Sequence, residues 1–108
     1  MTKKIFVAMA LAFALIVGMS KADAADVYMG NYSDGSAVYL MTNTVVIRSY
    51  SPLSFNCRVR AGRDYLNYRF FARGGSPYYR NNEGYEGYVF GGQSPVAANI
   101  YRYVLNNY

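Results

Sequence analysis

Histidine is absent from this 108-residue sequence, and cysteine occurs only once, at Cys57. Without histidine the chain cannot assemble a Ser-His or Cys-His pair, and it cannot build a histidine-based metal site. Cys57 lies between Phe55 and Val59 in an alternating segment, which predicts a small buried hydrophobic residue. In an oxidising compartment the unpaired thiol leaves a second interpretation open, an intermolecular disulfide that links a homodimer.

Two carboxylates, Glu83 and Glu86, are close enough in sequence to act as a pair. Paired carboxylates hydrolyse glycosides when a rigid framework holds them about 5–9 Å apart, but the segment 81–87 is rich in glycine and asparagine. Together with Asn81 and Asn82 they offer oxygen ligands suited to calcium, although the spacing matches no EF-hand loop. Solvated turn residues are the favoured interpretation, so we predict no enzyme activity, no cofactor and no metal.

Tyrosine and arginine interleave in a more informative pattern, and all 13 tyrosines lie after residue 24. Tyrosine supplies rigid contact area with a polar tip, arginine supplies forked donors that stack on rings, and both are enriched at binding hot spots. Period-two alternation places Arg58, Arg60 and Arg69 on the outward faces of neighbouring strands. We expect Tyr65 and Tyr50 to share that surface. The alternative is that the tyrosines fill a core without tryptophan while the arginines keep the strands soluble.

Residues 1–24 have the pattern of a secretory signal peptide. After a short basic start comes an uncharged apolar run at 5–17, and then the small-x-small sequence Ala22-Asp23-Ala24. This pattern predicts cleavage after Ala24 or Ala25. The apolar run is shorter than the roughly 20 residues of a membrane-spanning helix. We therefore expect no transmembrane anchor after cleavage, and a location in the periplasm, at the cell surface or outside the cell.

Loss of residues 1–24 removes all three lysines and one of six carboxylates, which leaves eight arginines, five carboxylates and a formal charge of +3. This small excess, on an exported chain, predicts no nucleic-acid binding. The favoured hypothesis is a non-catalytic module that binds a protein or a cell-envelope polymer. The alternative hypothesis is a secreted effector or inhibitor that acts on a foreign enzyme or envelope.

The sequence predicts that these side chains lie on a series of strands followed by one helix. Alternating or β-branched runs predict strands at 27–32, 36–41, 44–50, 55–60, 65–72 and 87–90, with a short extended piece at 77–80. Asp34-Gly35 predicts a hairpin turn, and Ser94-Pro95 predicts the start of a helix that continues to about residue 105. The predicted fold is α+β: a twisted antiparallel sheet or open barrel of five to six strands with one C-terminal helix, in a single domain at 25–108.

Three segments carry a resemblance to a known type of protein: VYLMTNTV at 38–45, YEGYV at 85–89, and SPV at 94–96 with Ile100-Tyr101. In this order they resemble small exported bacterial proteins of surface-adhesin-like type, in which a tyrosine strand leads through a turn into a second strand and a Pro-started helix closes the domain. The resemblance implies a surface or periplasmic binding role, with no catalytic residues to carry over. The lone cysteine departs from relatives that pair two.

Overall fold

The computed structural model describes residues 25–108, and the signal peptide predicted for residues 1–24 lies outside them. Seven strands are followed by one helix: β1 Asp26–Asn31, β2 Ala37–Met41, β3 Val46–Tyr50, β4 Leu53–Ala61, β5 Asp64–Arg73, β6 Ser76–Asn81, β7 Glu86–Tyr88 and α1 Pro95–Asn107. A 3-10 turn, Thr42–Thr44, joins β2 to β3.

All seven strands form one antiparallel sheet in the order β1-β2-β4-β5-β6-β7, with β3 paired to β4. Its two ends do not pair with each other, so the sheet is open rather than a closed barrel. The α+β prediction is confirmed, but the strands number seven rather than five or six. The difference arises because the short extended piece at 77–80 pairs with β5 throughout and is itself part of a strand.

Two strands share one edge of β4. β2 pairs with its second half, where Leu40 lies opposite Val59, and β3 pairs with its first half, where Val46 lies opposite Asn56. Thr44 fills the gap between them, because its hydroxyl accepts a hydrogen bond from the Arg58 amide at 2.8 Å. A side chain therefore replaces the backbone acceptor that a neighbouring strand would supply to this amide.

The core lies on one face of the sheet, under α1. Every second residue of β4, from Leu53 to Ala61, is buried, as the alternation predicts. Phe55 stacks on Phe70 of β5 with ring centroids 4.5 Å apart, and Tyr101 of α1 packs over both rings at 6.3 and 6.2 Å. Burial of these large aromatic surfaces from water joins the helix to the centre of the sheet.

The predicted hairpin turn at Asp34-Gly35 and the predicted helix start at Ser94-Pro95 are both confirmed. In the β1–β2 hairpin, Gly35 has φ 92° and the Asp34 carboxylate accepts from the Ser36 amide at 2.9 Å. At the helix start, the Ser94 hydroxyl accepts from the Ala97 amide at 3.1 Å. The helix ends two residues beyond the predicted position. Within the described part of the chain, no helix is both long and apolar enough to cross a membrane.

Candidate binding surface on the open sheet face

The helix covers one face of the sheet, and the side chains that alternate with the core project from the other. Directly opposite residues in an antiparallel sheet place their side chains on the same face. We name this surface the open face. By strand register it includes Tyr28, Tyr39, Val46, Asn56, Arg58, Arg60, Tyr65, Asn67, Arg69, Phe71, Arg73, Ser76, Tyr78, Arg80, Glu86 and Tyr88.

One cross-strand row of the open face is built around Arg60. Tyr39 and Tyr65 lie on either side of it in register. The Arg60 guanidinium donates to the Asp26 carboxylate at 3.1 Å and lies 4.7 Å above the centre of the Tyr39 ring. The Arg60 charge is therefore matched by a carboxylate, and its side chain is held as a fixed part of the surface.

The next row places Arg58 against neutral partners. Its Nε donates to Oδ1 of Asn67 at 3.0 Å. The backbone amide of Asn67 in turn donates to Oδ1 of Asn82, also at 3.0 Å. These contacts orient the Arg58 side chain, and no carboxylate of residues 25–108 forms an ion pair with it.

A third row runs from Asn56 through Arg69 and Arg80 to Glu86. Arg69 and Arg80 are directly opposite each other, an arrangement that destabilises a sheet when the charges are alike. Only Arg80 has a carboxylate partner, because its Nε donates to Glu86 at 2.8 Å. The two ion pairs found within residues 25–108 hold Arg60 and Arg80. Arg69, like Arg58 in the neighbouring row, therefore has no carboxylate partner among these residues.

Aromatic side chains form the fourth row, Phe71-Tyr78-Tyr88. Three guanidinium carbons lie within 6 Å of the Phe71 ring centre: Arg69 at 5.8 Å, Arg73 at 5.6 Å and Arg80 at 5.6 Å. Attraction to the ring face offsets part of their mutual repulsion. The result is a concentration of positive charge around one aromatic ring.

A groove of about 590 Å³ lies across β4, β5 and β6. Its lining from the open face and its margin is Thr44, Asn56, Arg58, Asn67, Arg69, Arg80 and Asn82; Cys57, Tyr68 and Asn81, which lie on the core face by strand register, also border it. Asn56 is one of the lining residues, and its Oδ1 is buried and accepts no hydrogen bond from residues 25–108. An acceptor in this state is unusual in folded proteins and marks a position where an external donor gains a hydrogen bond.

The structure brings together four of the five residues predicted as a binding site. Arg58 and Arg69 line the groove, while Arg60 and Tyr65 lie beside it on the open face. Tyr50 is placed differently: it lies opposite Leu53, whose side chain belongs to the core face. A bulge between Ile47 and Ser49 inserts one residue and reverses the alternation expected for β3.

Of the ten residues that line or border the groove, only Arg58 and Arg69 were predicted as binding residues; Asn56 and Arg80 are among those that were not. The signal for Arg80 was present, because Tyr78 and Arg80 alternate with the buried Tyr79. Asn56 also alternates correctly, but nothing in a sequence indicates that its side-chain oxygen lacks a donor.

Cys57 lies buried on the core face. Burial raises the pKa of this thiol to about 12, so the nucleophilic thiolate is suppressed at neutral pH. The predicted disulfide-linked homodimer would require this side chain to leave the core, and it stays a prediction.

The acidic and asparagine residues considered for catalysis or calcium hold the turn between β6 and β7. Oδ1 of Asn81 accepts from the Glu83 amide at 2.9 Å and from the Tyr85 amide at 3.1 Å. Glu86 is engaged by Arg80. Over residues 25–108, no group of three or more His, Cys, Asp or Glu side chains is placed to hold a metal ion.

Comparison of the chain with models of protein families, with curated proteins and with solved structures found no match. What the structure defines is a two-layer α+β domain. The helix α1 packs on one face of a seven-stranded sheet, and arginine and aromatic side chains collect on the other.

Proposed function

We propose that this chain is a non-catalytic exported module whose open face binds a protein or a component of the cell envelope. The observation that carries the proposal is the grouping of Arg58, Arg69 and Arg73 on or beside one sheet face, none of them paired with a carboxylate of the described residues. Arginine charges in excess of their carboxylates favour an anionic partner.

Aromatic side chains on the same face support a binding role. Tyr65 is 55% exposed and Tyr28 is 56% exposed, so much of each ring is available for contact with a partner. Tyrosine and arginine side chains together supply the contact area and the directed donors found at interface hot spots. Their position on strands, rather than on loops, gives such a site a rigid base.

Export is the second part of the proposal, and it is supported by the signal-peptide pattern of residues 1–24. The proposed location is the periplasm, the cell surface or the exterior, where envelope polymers and surface proteins are the available partners. The resemblance to exported surface-adhesin-like proteins suggests the same setting.

Retention on envelope fractions tests the proposal. The full chain is expressed for export, and the exported form is sedimented with cell-wall and membrane fractions. The triple variant Arg58→Ser, Arg60→Ser, Arg69→Ser should lose most of its retention, by about tenfold or more, because it removes the central charges of the open face.

A charge-matched control variant keeps the test specific. Arg48→Ser, Arg63→Ser and Arg102→Ser remove the same total charge at exposed positions that do not line the groove. This variant should stay bound. Equal retention of the two triple variants would contradict the proposal, and inhibition of a foreign enzyme without envelope retention would favour the effector hypothesis instead.

A further inference from the structure

We infer that the groove on the open face binds an acidic polysaccharide: Arg69 and Arg80 hold one anionic substituent, and Asn56 accepts a hydrogen bond from a neighbouring sugar hydroxyl. This inference rests on the proposed function and names the class of envelope component that the open face takes.

The arginine side chains that line the groove favour an anionic ligand. Arg69 and Arg80 are direct cross-strand neighbours, Arg58 lines the same groove, and Glu86 engages only Arg80. An oxyanion placed between the two opposed guanidinium groups converts their repulsion into two charge-assisted interactions. Phosphate, sulfate and carboxylate groups all have oxygen atoms that fit the forked donors of arginine.

Asn56 adds a requirement that an isolated anion does not meet. Its Oδ1 is a buried acceptor that no donor of the described residues reaches, in the same cross-strand row as Arg69 and Arg80. The terminal torsion of asparagine is broad, so a small rotation turns this oxygen towards a ligand in the groove. The ligand must therefore carry an O–H or N–H donor close to its anionic group.

Acidic sugars combine the two groups within one residue. An anionic substituent on a sugar ring has hydroxyl donors on adjacent carbons of the same ring, whereas the ionised side chains of Asp and Glu are acceptors only and the nearest donor of an acidic peptide is its backbone N–H. The aromatic row beginning at Phe71 and Tyr78 offers ring faces next to the arginines, on which the C–H face of a sugar can pack. The groove volume of about 590 Å³ lies within the range of small-ligand sites.

Defined polymers test the inference with the exported form of the full chain. The acidic probes are dextran sulfate, phosphorylated dextran and polygalacturonate; uncharged dextran and polyglutamate are the reference probes. At low ionic strength, at least one acidic polysaccharide should bind tenfold or more tightly than both reference probes. The acidic probe with the highest affinity identifies the anionic group.

Two variants with one matched control locate the site. Arg69→Ser with Arg80→Ser should weaken binding of the acidic polysaccharide by tenfold or more, whereas Arg48→Ser with Arg63→Ser should change it by less than about threefold. Asn56→Ala should weaken polysaccharide binding by about three- to tenfold, the range of one lost hydrogen bond, and should leave polyglutamate binding unchanged. Matching circular dichroism spectra and melting temperatures establish that each variant is folded.

The outcomes separate this inference from the proposed function. Envelope retention that depends on the open face, without preference for any acidic polysaccharide over dextran, overturns the inference and leaves the proposed function standing. Equal affinity for polyglutamate, or binding that is insensitive to Asn56→Ala, also overturns it, in favour of an acidic protein partner. Envelope retention that is indifferent to the open-face arginines contradicts the proposed function itself.

Discussion

Arg69 and Arg80 lie directly opposite each other on β5 and β6, and the Glu86 carboxylate pairs with Arg80. Like charges in this position oppose strand pairing by several tenths of a kcal/mol, on the order of 0.2–1. A sheet selected for stability alone would place opposite charges here. An anion bound between the two guanidinium groups, as inferred above, would relieve this repulsion.

Replacement of Arg69 by serine should not weaken the fold. We expect the Arg69→Ser variant to be at least as stable as the parent chain in low salt, since the cross-strand repulsion is gone. This advantage should shrink in high salt, which screens the charges. Arg60→Ser is the matched control, because it breaks the ion pair with Asp26 and should lower the free energy of unfolding by up to about 1 kcal/mol. Urea titrations at two salt concentrations measure both effects.

Asn56 should prove to be unfavourable for stability. Asn56→Leu removes a buried oxygen that has no hydrogen-bond partner, so we expect the free energy of unfolding to rise by about 1 kcal/mol. Asn67→Leu is the control, because the Asn67 oxygen accepts from Arg58 Nε and its loss should not stabilise the chain. A drop of more than about 1 kcal/mol in the Asn56→Leu variant would mean that the oxygen has a donor in solution.

The Thr44 hydroxyl should contribute to the sheet as a backbone group would. Thr44→Val leaves the Arg58 amide without an acceptor, so we expect a loss of about 1–2 kcal/mol and faster hydrogen exchange at that amide. Thr42→Val is the matched control: it loses contacts only to Ala25, at the end of the described chain, and should have a smaller effect. Unchanged exchange at Arg58 would show that β4 does not need this hydroxyl.

The Cys57 thiol should resist alkylation in the folded chain. Burial raises its pKa to about 12, so at pH 8 it is protonated as well as shielded. We expect iodoacetamide to react at least about a hundredfold more slowly than in urea, because the reaction needs local opening. Mass spectrometry over time measures the rate. A native rate equal to the unfolded rate would instead indicate an accessible thiol, as the disulfide-linked homodimer requires.

Stability should fall in alkali. Burial, followed by the hydrogen bond to Tyr68 at 2.6 Å, raises the pKa of Tyr32 above its ordinary value of 10. The folded state holds this proton more tightly than the unfolded chain does. The resulting stabilisation is complete below pH 10 and is lost progressively as the pH rises above 10, where the unfolded tyrosine ionises. Tyr32→Phe should therefore reduce the slope of stability against pH between pH 10 and 11 in urea titrations. An unchanged slope would contradict this assignment.

Local patterns were sufficient to predict several elements. The alternation in β4 and β5 correctly separated Phe55 from Arg58 and Phe70 from Arg69. Each of these assignments depends on neighbours in sequence, because a strand turns successive side chains to opposite faces. The Ser94-Pro95 helix start was predictable for the same reason, since a cap is formed within one turn.

Non-local features were not predictable in this way. The bulge after Ile47 moves Tyr50 to the other face, and no residue in that run signals it as glycine would. The Arg69–Arg80 opposition depends on how β6 registers against β5, and the groove depends on three strands together. Pairing partners are fixed by the whole sheet, so one alternating segment does not contain that information.

Because the groove spans β4, β5 and β6, it forms only when these three strands pair in the correct register. A slip of β5 by one residue would turn Phe70 towards solvent and bury Arg69, and the ligand would lose its site. The inferred ligand, an acidic polysaccharide, would then bind only correctly assembled molecules. Such a ligand would also stabilise the correctly paired molecules by mass action. An envelope that carries the ligand would therefore retain native chains and would not retain misassembled ones.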